Sequence, residues 1–264
     1  MKRLASLIVI LFTLVCALVP MASAQQPEIL VSAAASLTDV LSGLAPQAEQ
    51  SIGARLVFNF GASGSLRRQI EEGAPVDVFF SASSEDVDKL LAKGLLVAGT
   101  RKDLLSNKIV LIGGPRATPI RAREKETAVS ALKTLLSGAN LVAVGNPDTV
   151  PAGRYAVLAL TSYGLYPIVK SKLALGGSVR EVLQFVQSGS APLGIVFLTD
   201  ALTVSPDSIQ QLFVFPDEAV GVPILYPVAV VNASKNKETA EKLIEFLQGD
   251  IARNAFRSAG FLLK

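Results

Sequence analysis

The segment Phe60-Gly61-Ala62-Ser63-Gly64-Ser65-Leu66 joins a β-rich run to a helical pattern through small residues and hydroxyls. Two glycines let the backbone come close to a ligand, and Ser63 and Ser65 place hydroxyls beside the unpaired N–H groups of a helix start. Such a turn can cup a compact anion, or one of its serines can simply cap the helix. Three more turns share the pattern. Ser32 to Thr38 puts Ser36 at a helix start, Gly145 to Tyr155 contains Pro151 and Ala152 in the first turn of a helix, and Gly176-Gly177-Ser178-Val179 opens another.

Together these turns supply hydroxyl and amide donors with no obligatory cation or acceptor at their centre. That set suits a fully deprotonated tetrahedral dianion. Hydrogen phosphate, which still carries a proton, would call for one carboxylate acceptor, whereas sulfate, molybdate or tungstate need donors only. Arg67, Arg68 and Arg154 lie close by in sequence and can steer an anion or serve as ordinary surface charges. Asp77 and the pair Glu71-Glu72 have no positioned partner that would make them an acid/base couple.

Composition removes most catalytic alternatives. The chain has no histidine, which excludes Ser-His-Asp and Cys-His nucleophile pairs and imidazole metal sites. Gly61 to Leu66 lacks the Gly-Lys-Ser/Thr ending of a nucleotide loop, and its order fails the G-x-S-x-G elbow. A serine hydrolase built on Ser63 would have neither histidine nor a visible lysine partner.

The elements that must position these turns alternate between β-rich and helical runs. Strands are expected at Glu28 to Ala33, Arg55 to Phe60, Val76 to Phe80, Lys108 to Gly113, Asn140 to Val144, Gly194 to Leu198, Leu212 to Val214 and Ile224 to Val231. Helices are expected at Leu37 to Glu49, Ser65 to Glu72, Ser84 to Ala92, Ala128 to Leu136, Gly153 to Tyr163, Val179 to Ser188, Lys237 to Gln248 and Asp250 to Ser258. This order implies an α/β protein with mostly parallel sheets flanked by helices. The charged stretch Pro115 to Thr127 reads as a surface loop. No floppy linker is visible, so two lobes would have to be joined through strands, near Ser106 to Val110 and Val222 to Val228.

Lys2 and Arg3, the apolar run Leu4 to Val19 and Ala22-Ser23-Ala24 form a secretory signal peptide, residues 1–24, with cleavage expected after Ala24. The only cysteine, Cys16, lies inside it, and the bulky Val15 does not suit a lipoprotein cleavage site. The mature chain keeps 23 basic and 22 acidic residues, a net charge of +1, and has no basic run with interleaved aromatics. Nucleic acid is therefore not an expected partner.

Five blocks, Ala33 to Thr38, Phe60 to Leu66, Gly73 to Phe79, Val150 to Gly153 and Ala191 to Val196, occur in one order, followed by Tyr226 to Val231 and Gly260-Phe261. In these blocks the chain resembles the periplasmic molybdate-binding proteins of bacterial ABC importers over essentially its whole mature length. The resemblance implies a two-lobed type II periplasmic binding protein with a strand hinge, lobe 1 being residues 25–107 plus 226–264 and lobe 2 residues 108–225. It further implies a periplasmic monomer, not an enzyme and without a cofactor. Such a protein captures molybdate, and tungstate with it, and delivers it to an ABC transporter membrane permease. Carried over by position, the ligands are Ser36 and Ser63 through hydroxyl and N–H, and Ala152 and Val179 through N–H. Molybdenum is then held only as its oxyanion. The family's tyrosine in Gly194-Ile195-Val196-Phe197 is here Phe197, a wall of the pocket together with Tyr155, and one donor is missing. An organic acid receptor on the same fold would instead need a cleft arginine, Arg154 or Arg68.

Overall fold

The computed structural model describes residues 26–122 and 124–264. The expected signal peptide lies outside the described residues. Eleven strands fall into two mixed sheets, and the chain order explains how.

The first sheet begins with β1 (Glu28–Ala34), β2 (Arg55–Gly61) and β3 (Val78–Phe80). Helices α1 (Thr38–Ile52), α2 (Ser63–Glu71) and α3 (Ser84–Ala92) follow these strands in turn. β4 (Lys102–Ser106) completes this pass, and the chain then crosses to β5 (Ile109–Gly113) in the second sheet. There α4 (Lys125–Gly138), β6 (Val142–Gly145), α5 (Pro151–Ser162), the short α6 (Tyr166–Val169), β7 (Leu173–Gly176), α7 (Val179–Gln187), β8 (Leu193–Phe197), α8 (Leu198–Leu202) and β9 (Gln210–Val214) follow. After α9 (Asp217–Val220) the chain returns through β10 (Leu225–Val230), α10 (Lys237–Gln248), α11 (Asp250–Ser258) and β11 (Leu262–Leu263).

The six-stranded sheet has the order β11-β4-β10-β3-β1-β2 and the five-stranded sheet β7-β6-β8-β5-β9. Parallel pairing is confined to β1 with β2 and β3, and to β6 with β7 and β8. β10 runs antiparallel between β3 and β4, while β5 runs antiparallel to both β8 and β9. The expectation of mostly parallel sheets is thus corrected. The returning strand and the crossing strand each enter a sheet from the opposite direction, and their partners lie far away in sequence. β4, β7 and β11 fall outside the expected strands, and α4 starts at Lys125, inside the stretch expected as a loop.

β5 is buried along its whole length, as a continuously apolar strand covered on both faces should be. A row of aromatic rings links the two halves. Tyr155 packs on Phe197, Phe197 on Tyr226 and Tyr226 on Phe261, with centroids 6.2, 5.6 and 5.3 Å apart. Inclined ring contacts of this kind add roughly 0.5–1.5 kcal/mol per pair beyond the area they bury.

The parallel strands also set where the turns sit. Ala34 of β1 is in register with Gly61 of β2, so Ser36 and Ser63 each follow two residues after aligned strand ends on neighbouring strands. Gly145 of β6 is likewise aligned with Gly176 of β7, ahead of Pro151-Ala152 and Val179. Each pair of turns therefore leaves the carboxyl edge of its sheet at one level, where α/β proteins place ligands.

The start of α5 packs directly on the end of β6, and a Cβ on Gly153 would overlap the Gly145 carbonyl. Backbone cannot rotate away as a side chain can. Gly153→Ala is expected to cost about 1–3 kcal/mol of unfolding free energy, measured by urea denaturation; an unchanged midpoint would show that the helix slides off without penalty.

Candidate functional site

The hydroxyls and amides at the four turns are the atoms to account for. Ser63 is fully buried at the first position of α2, and its Oγ accepts the Ala82 N–H at 2.9 Å. With that oxygen supplied from behind, the serine's own proton is free to point forward. In the same turn Ser65 and Leu66 N–H donate to Ala62 O, and Gly64 N–H donates to Thr149 O, 2.9 Å away in the other lobe. Among the described residues no main-chain acceptor takes the N–H of Ser63.

In the second lobe, Pro151 has no N–H, and Gly153 and Arg154 N–H both turn back to Val150 O. The buried Ala152 N–H is left without a main-chain acceptor among the described residues. Ser178 caps α7 by accepting the Glu181 N–H at 3.2 Å, while the Glu181 carboxylate accepts Gly177 N–H at 2.6 Å. This is close to a capping box. It leaves the N–H of Val179, first in the helix, likewise without such an acceptor. The positive ends of α2, α5 and α7 and their spare first-turn amides are donors of the kind that can take an anion without formal charge.

Ser36 is buried in the 3₁₀ turn Ala35–Leu37, and its Oγ lies 3.0 Å from the Tyr226 hydroxyl. α7 packs against this turn, and the Gly64–Thr149 bond joins the residue after Ser63 to the loop that leads into Pro151-Ala152. The structure thus links the turn of Ser36 with the helix that begins at Val179, and the turn of Ser63 with the loop before Ala152. Phe197 is buried between Tyr155 and Tyr226, the first on the helix that starts at Pro151 and the second bonded to Ser36. Burial pushes the Tyr155 phenol up to about 12, with a Ser83 hydrogen bond opposing, so it stays protonated.

The contact across the cleft is close at backbone level. A Cβ on Gly64 would stand 2.7 Å from Thr149 O. Two ion-pair clasps flank it. Asp86 of α3, its side chain fully buried, receives Arg154 of α5 at 2.5 Å and Arg67 of α2 at 3.1 Å. Arg180 of α7 reaches Asp39 of α1 at 2.5 Å and the buried Asp200 at 2.6 Å. The Arg180–Asp200 contact is short but not aligned, since neither Asp200 oxygen nor Arg180 Nε has a hydrogen-bond partner among the described residues.

No local pattern in the sequence announces these clasps. Arg154, expected as a steering charge or a carboxylate anchor, is committed to Asp86 and Glu85. Arg68 is exposed on α2. Asp77 is structural, accepting Leu30 N–H at 2.8 Å and the Ser234 hydroxyl at 2.5 Å. Burial opposes ionisation of Glu71, but hydrogen bonds from Arg67 and Lys93 outweigh it and hold its carboxyl below the ordinary range, unsuited to a general base.

The whole described chain compares closely with known proteins. Residues 29–262 match the family model for bacterial extracellular solute-binding proteins. The molybdate-binding protein ModA of Haemophilus influenzae is 36% identical over 244 residues, 91% of this chain and 92% of that protein. The substrate-binding domain of a putative molybdenum ABC transporter from Clostridium difficile aligns at a TM-score of 0.64 with 36% identity, covering 89% of this chain and 97% of that one. The periplasmic molybdate-binding protein of Azotobacter vinelandii aligns at 0.75 with 26% identity, covering 89% and 99%.

Burial pushes the Asp200 carboxyl up to about 7 from an ordinary 3.8, with Arg180 opposing. The folded state therefore holds a proton that the unfolded chain has released over that interval, and this group's contribution to stability falls as pH rises through it. Relative to Asp200→Asn, the wild type should lose stability as pH rises from about 4 to about 7 in urea titrations. A difference independent of pH would contradict this.

Proposed function

The chain belongs to the bacterial extracellular solute-binding protein family, among its ModA molybdate-binding members, and on that premise we propose that Ser36, Ser63, Ala152 and Val179 hold the oxyanion between the lobes. It is the solute receptor of a molybdate ABC transporter, a transport protein and not an enzyme. The two serines offer hydroxyl and N–H, and Ala152 and Val179 offer N–H alone. Lobe 1 (25–107 plus 226–264) and lobe 2 (108–225) close on the cargo by bending at the two strand crossings. Export by the cleaved segment 1–24 places a monomer in the periplasm, where the closed form hands its anion to the membrane permease.

One observation supports this reading above the others. One pair of turns leaves aligned strand ends in each sheet, and a peptide hydrogen bond from Gly64 to Thr149 runs from the one sheet's turns to the other's. The buried carboxylate Asp86 is taken up by Arg154 and Arg67, so it is not offered to a protonated anion. Tungstate, nearly isosteric with molybdate, fits the same donors. Nothing favours an organic acid, because Arg154 is paired and Arg68 points outward.

Calorimetric titration of the mature protein with molybdate, tungstate, sulfate and phosphate tests the reading. Heat is expected with the first two; none with either would defeat it. Ser63→Ala is expected to weaken binding roughly tenfold to a hundredfold, since a hydrogen bond to a charged group contributes about 1.5–3 kcal/mol. Phe197→Tyr is expected to tighten it by restoring a phenol between the two pairs, and an unchanged constant would place that ring outside the cage.

A further inference from the structure

We propose that Tyr226 and Asn107 are positioning residues for the anion: they form a one-way chain of hydrogen-bond donors that turns the Ser36 hydroxyl proton into the cleft. The inference rests on Ser36 being a ligand, as set out above.

The direction follows from one amide. Asn107 Oδ1 accepts the Lys108 N–H at 2.9 Å, which fixes which end of the side chain is oxygen. Its Nδ2 then donates to Thr199 Oγ1 at 2.8 Å and to Tyr226 Oη at 3.1 Å. The phenol oxygen thus receives a hydrogen bond, and its own proton has one remaining partner, Ser36 Oγ at 3.0 Å. Tyr226 is fully buried, and burial raises its pKa well above the ordinary value, so that proton is present. If Ser36 donated to the phenol instead, the phenol proton would be a buried donor without an acceptor, which is costly. The chain therefore runs from Asn107 through Tyr226 to Ser36, whose own proton is released toward the cleft.

Ser63 has the same arrangement, with the Ala82 N–H in place of the phenol. Both serines are supplied from behind and can give only forward. Polarised donors in series strengthen one another in a low-dielectric interior. The relay also sits where the lobes meet. Asn107 lies between β4 and β5, Tyr226 lies on the returning strand β10, and Thr199 belongs to α8 of the second lobe. The Phe197 ring packs on the Tyr226 ring at 5.6 Å and holds it in place.

A double-mutant cycle on the mature protein, read as molybdate affinity by calorimetry, tests the relay. Tyr226→Phe keeps the ring and is expected to weaken binding about tenfold in the wild-type background but to change nothing in a Ser36→Ala background. Equal losses in both backgrounds would make Tyr226 merely structural and overturn the relay. Wild-type affinity in Tyr226→Phe, with Ser36→Ala weakened, would overturn the relay alone. Wild-type affinity in Ser36→Ala would overturn the ligand assignment and the relay with it. If Tyr226→Phe does not fold, Asn107→Asp serves: its added acceptor should capture the phenol proton, reverse the chain and weaken binding, and undiminished affinity would refute the relay.

Discussion

A helix cannot satisfy the N–H groups of its own first turn, and in this protein that deficit is the material of the proposed binding cleft. Pro151 removes one donor and leaves the next, Ala152, spare; the Ser178–Glu181 cap does the same for Val179. Elsewhere such groups meet water or a side chain. Here Ala152 and Val179 are buried, and in the proposed site a single anion satisfies them together with the serines. The parallel registers of β1 with β2 and of β6 with β7 exist at the sheet edges where these helices begin. The antiparallel strands fill out each sheet; β5 and β10 carry the chain between the lobes, and β10 sets Tyr226 behind Ser36.

Formal charge has a different task. Three arginines lie around the cleft, and each is paired with a carboxylate: Arg67 and Arg154 with Asp86, and Arg180 with Asp39 and Asp200. Arg154–Asp86 and Arg180–Asp39 join lobe to lobe, whereas Arg67–Asp86 and Arg180–Asp200 each lie within one lobe. This division of charge from neutral donors suits a carrier. A guanidinium bound directly to an oxyanion would strengthen capture but impede release, whereas neutral donors bind through geometry that disappears when the lobes part. Removing Asp86 would leave two arginines near one another without their counter-charge, which makes the clasp sensitive to its one acidic partner.

What the sequence disclosed and what it hid divide along sequence distance. The turns that carry Ser36, Ser63, Ala152 and Val179 are local, so small residues, hydroxyls and a first-turn proline made them legible as helix starts, while the choice of these four as ligands came from the family resemblance. Arg154 and Asp86 are 68 positions apart, Asn107 and Tyr226 are 119, and Ser36 and Tyr226 are 190. No periodicity reports such pairs, and each residue alone looks like a surface charge or a core aromatic. The strands tell the same story. β1, β2 and β5 are largely apolar runs, whereas β4 starts with Lys102-Asp103, β7 has four residues with Leu175 exposed, and β11 has only two. Those strands exist because neighbours pair with them.

The hydrogen bond from Gly64 to Thr149 works as the hard stop of a calliper. Its jaws are peptide groups rather than side chains, and the missing Cβ of Gly64 lets them meet at 2.9 Å. A stop made of backbone has no rotamers with which to adjust its gauge. An oxyanion too small for the closed gap leaves some donors out of reach, and one too large keeps the jaws from seating. Selection by size then needs no residue dedicated to measuring, and it follows from the place where two main chains touch.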